Sequence, residues 1–168
     1  QGAFAKAYVL VTIELPDTLE SIGERAFSAC SALSNIDFGE GLTSIGTDTF
    51  NSCSSLTSIV LPASLTTLNS YAFKKCTGLE TVEMEGVDTP GNVSGTTFDS
   101  VTLSNVTLIV PLEGLSTYAI TTPWDEFGII TSLFTKGDYN YNIITTDGAN
   151  FYAELISNNA VTGAVSIP

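Results

Sequence analysis

Leu33-Ser34-Asn35-Ile36-Asp37-Phe38-Gly39-Glu40-Gly41-Leu42-Thr43-Ser44-Ile45-Gly46-Thr47-Asp48-Thr49-Phe50-Asn51-Ser52-Cys53 decides the fold, because its apolar residues recur elsewhere in the same phase. Phe50 lies 23 residues after Phe27 and 23 before Phe73, and Cys53 keeps that step with Cys30 and Cys76. Leu19, Leu42 and Leu65 follow it, as do Ile22, Ile45 and Leu68, then Leu33, Leu56 and Leu79, then Ile36, Ile59 and Val82. Leu15, Phe38, Leu61 and Met84 make a further column. Apolar residues held in phase over such a period mark a solenoid, in which stacked repeats bury one continuous core.

Within one unit, Ile36-Asp37-Phe38 alternates as a short strand with two side chains in and one out. Leu42-Thr43-Ser44-Ile45 reads as a second short extended segment. The Ala-Phe-x-x-Cys stretch spaces apolar residues by three, which suggests a 3₁₀-like or irregular helical turn. Pro16 and Pro62 stop the first strand. Gly23 and Gly46, with Asn69 in the third copy, are expected to supply a bend with positive φ.

The motif LxxIxLPxxLxxIGxxAFxxC, carried along residues 3–84, resembles the BspA-type leucine-rich repeats found in surface proteins of Bacteroides and relatives. The resemblance implies a right-handed, curved, mainly β solenoid whose LxxIxL strands line the concave face. It also implies an extracellular or cell-surface location and a role in adhesion.

After Met84 the register slips, and Phe98 arrives 25 residues after Phe73. The Gly- and Pro-containing stretch from Gly86 to Gly95 takes up the extra length and should be the least tightly held part of the array. Leu108-Ile109-Val110-Pro111 restores the strand-proline signature. Tyr118, Pro123-Trp124 and Phe127 then read as an aromatic closure over the last rung. Two units are expected: residues 1–134 as a solenoid with its aromatic cap, and 135–168 as a small β-rich segment leading into a further array. In that segment Tyr139 to Ile143 and Phe151 to Ile156 read as strands, Asp147-Gly148 as a turn, and Thr162 to Pro168 as another strand-proline motif. Phe4 stands one interval before Phe27, so the chain is expected to be a piece of a longer protein.

Charge narrows the partners. With 18 Asp and Glu against 5 Lys and Arg, the formal net charge is −13. Nucleic acid requires clustered cations that this chain lacks, and anionic membrane surfaces are disfavoured for the same reason. Three cysteines, one per repeat and without a CxxC pair, give neither a disulfide framework nor a zinc ribbon. They read as free thiols packed in the core. With no histidine, Ser-His-Asp and Cys-His arrangements are excluded, so no enzyme and no cofactor are expected.

What remains is the strand face. Glu14, Asp37, Val60 and Glu83 form one outward column, and Thr12, Asn35, Ser58 and Thr81 a second. On rungs ~4.8 Å apart these columns would present a ligand-binding surface. The expected function is a protein- or glycan-binding module that contacts a host or neighbouring-cell partner, basic at its contact. A purely structural spacer in a longer surface protein is the alternative. Asn92-Val93-Ser94 and Asn105-Val106-Thr107 are glycosylation sequons of low specificity.

Overall fold

The computed structural model describes the backbone of residues 2–136, 139–145, 151–157 and 165–166, and side chains over 2–132. Each repeat crosses two ladders of short parallel strands. The first holds β1 (Thr12–Glu14), β3 (Asn35–Asp37), β5 (Ser58–Leu61), β7 (Thr81–Met84), β8 (Thr107–Ile109) and β9 (Ile129–Lys136). The second holds β2 (Ser21–Ile22), β4 (Ser44–Ile45) and β6 (Thr67–Leu68). This is a right-handed repeat solenoid in which each rung stacks on the next, with strand pairing along the first ladder interrupted between β3 and β5.

The third side of each rung departs from the 3₁₀ reading. Ala26 N–H donates to the Gly23 carbonyl and Cys30 N–H to the Phe27 carbonyl, closing two successive four-residue turns. The third residue of each turn, Arg25 and then Ala29, has positive φ (56° and 62°), the signature of type II geometry. The same holds for Asp48 and Ser52, and for Tyr71 and Lys75. A 3₁₀ helix would direct its N–H groups within the rung. Here Arg25, Phe27 and Ala29 instead donate to the carbonyls of Thr47, Thr49 and Asn51 on the next rung. These bonds offset the strain of placing residues other than glycine at positive φ.

Gly23 and Gly46 open these turns, and positive φ falls two residues beyond them. Gly46 is required by close approach instead. A Cβ there would lie 2.8 Å from the Glu24 nitrogen and 2.9 Å from the Gly23 carbonyl carbon.

The core columns of the sequence stand in register and are buried from Ile22 onward, whereas Leu15 and Leu19 of the first rung are half-buried. Phe4, Phe27, Phe50, Phe73 and Phe98 form one continuous stack with centroids 5.2–5.6 Å apart. Beside it run the three free cysteines, all buried. Each thiol donates to the carbonyl of the phenylalanine one rung back: Cys30 to Phe4, Cys53 to Phe27 and Cys76 to Phe50, at 3.1–3.2 Å. The position therefore suits a small apolar side chain with one weak donor.

At the far end Phe98 meets Trp124 and Phe127 edge-on, and Tyr118 packs against Trp124. Tyr118 and Trp124 are fully buried, so they close the core and offer no platform to a sugar. The irregular rung has anchors that its composition does not show. The Tyr118 hydroxyl donates to the carbonyls of Gly86 (3.1 Å) and Asp88 (2.9 Å), and Gly91 bridges to Thr67.

Strand β9 runs across the expected boundary at 134–135. It pairs in parallel with β8 through Ile129 to Thr131, then in antiparallel fashion with β10 (Tyr139–Thr145). Next come β11 (Phe151–Ser157) and β12 (Val165–Ser166), so the long sheet has the order β12-β11-β10-β9-β8-β7-β5. The expected turn at Asp147-Gly148, and residues 162–164 and 167–168 of the last motif, lie outside the described residues.

Candidate functional site: the face of the long strand ladder

The two outward columns exist as registered pairs. Thr12 stands opposite Asn35 and Glu14 opposite Asp37. Ser58 stands opposite Thr81 and Val60 opposite Glu83. Thr12, Glu14, Asn35, Asp37, Ser58 and Val60 are exposed, while Thr81 and Glu83 are half-buried. The columns continue past the four expected rungs through Thr107 and Ile109 to Ile129 and Thr131. The polar character fades there, because Ile129 is exposed and Thr131 is buried.

The ladder is not continuous. β1 and β3 form a separate pair, and no hydrogen-bonded ladder joins β3 to β5. At this point the inward column changes size, with Phe38 standing where other rungs place Leu15, Leu61 and Met84. Its ring packs edge-on against Phe50 at 5.6 Å. The break in the ladder thus coincides with the one phenyl ring among the Leu and Met side chains of this column, a change of shape that a close-packed core must accommodate.

A cleft of about 300 Å³ opens at the break, lined by Asp37, Phe38, Glu40, Val60, Pro62 and Glu85 among others. A second of about 330 Å³ lies farther along the same side, between Glu83 to Glu85, Ile109 to Pro111 and Ser132. Both form where the strands end.

Glu40 and Glu85 are functional candidates that the column reading missed. They follow the strands rather than lie in them, so no two-residue alternation points to them. Glu85's carboxyl is raised above the usual range, first by partial burial, then by Glu40, with Glu83 and Asp37 adding. A backbone hydrogen bond from Ala63 opposes the rise. Asp37 is partly engaged already, since its Oδ1 accepts the Gly39 N–H at 3.0 Å.

Cations sit elsewhere. Among the described side chains, Lys6, Arg25, Lys74 and Lys75 all lie in the turn segments. The ion pairs found there are Arg25 with Glu24 and Asp48, and Lys74 with Asp99. Lys74 also lies 4.4 Å from the centroid of the Tyr71 ring. Glu14, Asp37, Glu40, Glu83 and Glu85 have no ion-pair partner among the described residues.

The thiols are poor nucleophiles in this setting. Burial, reinforced by the neighbouring thiol in the column, pushes Cys53 up to about 12 and Cys76 higher still. Burial raises Cys30 as well. A neutral buried thiol is inert.

The shift has a consequence for stability. An unfolded thiol ionises near pH 8.5. Below that value both states hold the proton and stability is full. Between about 9 and about 12 the unfolded chain releases protons that the folded chain keeps, so stability falls as pH rises. Each deeply buried thiol is expected to remove up to about 1.4 kcal/mol per pH unit in that window. Tyr118, raised by burial and by Asp88, acts with the same sign at higher pH. Urea midpoints at neutral pH and at pH 10 test this, with Cys53→Ala as the reference that should lose part of the dependence. A flat profile would show that the column is open to solvent.

Among the described residues, no group of three or more His, Cys, Asp or Glu could hold a metal ion, and no helix is long and apolar enough to cross a membrane.

Comparison with known proteins bears on family more than on function. None of the curated proteins matches this chain. A solved structure, the leucine-rich-repeat protein of T. pallidum, shares 31% identity over 49% of this chain and 50% of its own, with a TM-score of 0.39. The match thus spans half of that protein's length. The family described as BspA type Leucine rich repeat region matches in 6 copies over residues 1–122. The chain belongs to the BspA-type leucine-rich-repeat family.

Proposed function

We propose that this chain is an interaction module of an extracellular or cell-surface protein. It binds a host or neighbouring-cell protein, or a glycan, and so contributes to adhesion. Binding uses the concave face, through Thr12, Glu14, Asn35, Asp37, Ser58, Val60, Thr81 and Glu83. The single observation that carries this reading is the registered strand face, rigidly spaced by the core beneath it and free of ion pairs among the described residues. In this reading residues 1–134 carry the site, and 135–168 lead towards further repeats. A spacer would need no recess in that face, so the two clefts favour binding.

The test is a screen of the module against arrays of glycans and extracellular-matrix proteins. It is followed by the triple variant Glu14→Gln, Asp37→Asn and Glu83→Gln. The variant should fold normally, bind several-fold more weakly, and lose much of the salt dependence. Unchanged affinity for an array ligand would move the site off these columns. An empty screen would favour the spacer.

A further inference from the structure

We propose that the two clefts form one docking groove for an extended, lysine- or arginine-bearing segment of a partner protein, with a cationic side chain held between Glu40 and Glu85. This inference rests on the concave-face reading above and narrows both the site and the partner.

Shape is the first argument. Both clefts are lined by Glu85, so they adjoin along the solenoid axis, at the C-terminal ends of β3, β5, β7 and β8 and beside Ser132 within β9. The three paired steps from β5 to β9 span ~14 Å, and the unpaired step from β3 brings the length to at least ~19 Å, the reach of about six extended residues. Val60, Ile109 and Pro111 are the apolar lining residues that reach the surface, above the buried side chains of Phe38, Pro62, Met84 and Val110.

Charge is the second. Asp37, Glu40, Glu83 and Glu85 line the groove, and no lysine or arginine does. Partial burial, and after it the carboxylate of Glu40, disfavours the charged form of Glu85, and an incoming cation would relieve the like-charge part of that cost. An apolar floor between acidic walls complements a chain that alternates apolar and basic side chains.

Other occupants fit less well. Phosphate-bearing polymers and acidic glycans meet like charge. A neutral glycan would want an exposed aromatic face, and the aromatic residue that lines the groove among the described residues, Phe38, is buried. The carboxylates do not converge as a metal site among the described residues. A basic polypeptide is what remains.

The test uses a short fluorescein-labelled peptide alternating lysine and valine, with glutamate–valine and lysine–glycine peptides for comparison, read by anisotropy at low and high salt. The lysine–valine peptide should bind, weaken with salt, and bind roughly tenfold less tightly to the Glu40→Gln/Glu85→Gln variant. Glu24→Gln/Glu126→Gln, neither lining the clefts nor adjoining their lining residues in sequence, should bind as the parent does. The lysine–glycine peptide should bind more weakly, and the glutamate–valine peptide not at all.

Amide shifts on the parent protein should concentrate at residues 37–40, 60–62 and 83–85, a result that does not depend on any variant folding. Failure of the lysine–valine peptide to bind, equal binding by the groove variant, or shifts elsewhere would each overturn the proposal. If an array ligand is lost in the column triple variant yet unaffected by Glu40→Gln/Glu85→Gln, the groove is wrong and the wider reading stands.

Discussion

Phe50→Ala is expected to lower the stability of this protein by about 3–5 kcal/mol, the range for emptying a fully enclosed aromatic site. Phe50 is fully buried and lies midway in the ring stack, 5.3 Å from both Phe27 and Phe73, with the edge of Phe38 at 5.6 Å. Its neighbours are poorly able to close the gap. Rung spacing is held by backbone bonds on the side of the second ladder and on the turn side, including Phe50 N–H to the Ala72 carbonyl and Phe27 N–H to the Thr49 carbonyl. Phe4→Ala gives the contrast, because Phe4 stacks only on Phe27 and is 48% exposed. It should cost less than half as much. Urea unfolding followed by far-UV circular dichroism measures both. A loss below about 1.5 kcal/mol for Phe50→Ala would mean that the rungs can collapse onto one another.

Trp124→Ala should cost a similar amount, about 3–4 kcal/mol, at the other end of the core. Trp124 is fully buried and touches Phe98, Tyr118 and Phe127, with centroids 5.5–6.0 Å apart. Removing it uncovers the last ring of the stack. Its indole N–H is buried and has no hydrogen-bond partner among the described residues, so truncation also relieves that donor and the loss falls short of the highest values. For that reason Trp124→Phe should be clearly milder than Trp124→Ala.

The damage should also be uneven. In a repeat array each rung leans mainly on its neighbours. Amide exchange should therefore accelerate more at Thr107–Ile109 than at Ser21–Ile22. Thermal melting unchanged by Trp124→Ala would show that the aromatic cluster is not the closure of this core.

The recurring interval was enough to place the core. Once Phe27, Phe50 and Phe73 share a phase, the side of the chain that faces inward follows, and with it the free thiol column and the outward positions Glu14, Asp37 and Glu83. The family follows from the same columns. Turn type does not, because an apolar spacing of three suits both a 3₁₀ turn and paired type II turns. Donors must reach the next rung, and that tertiary demand selects type II, with positive φ at Arg25 and Ala29.

The site divides in the same way. Periodicity reports which way a side chain points and says nothing about the distance between rungs. The opening between β3 and β5 therefore left only a faint mark in the sequence, Phe38 in a column of Leu and Met. Glu40 and Glu85 are 45 positions apart, and each follows a strand at a place where no alternation constrains it. Only the stacking of rungs brings them to one cleft. The same is true of Tyr118, whose hydroxyl reaches back some thirty residues to Gly86 and Asp88. A repeating sequence determines the rung. What lies between rungs is decided by packing and backbone hydrogen bonding, which act across the chain rather than along it.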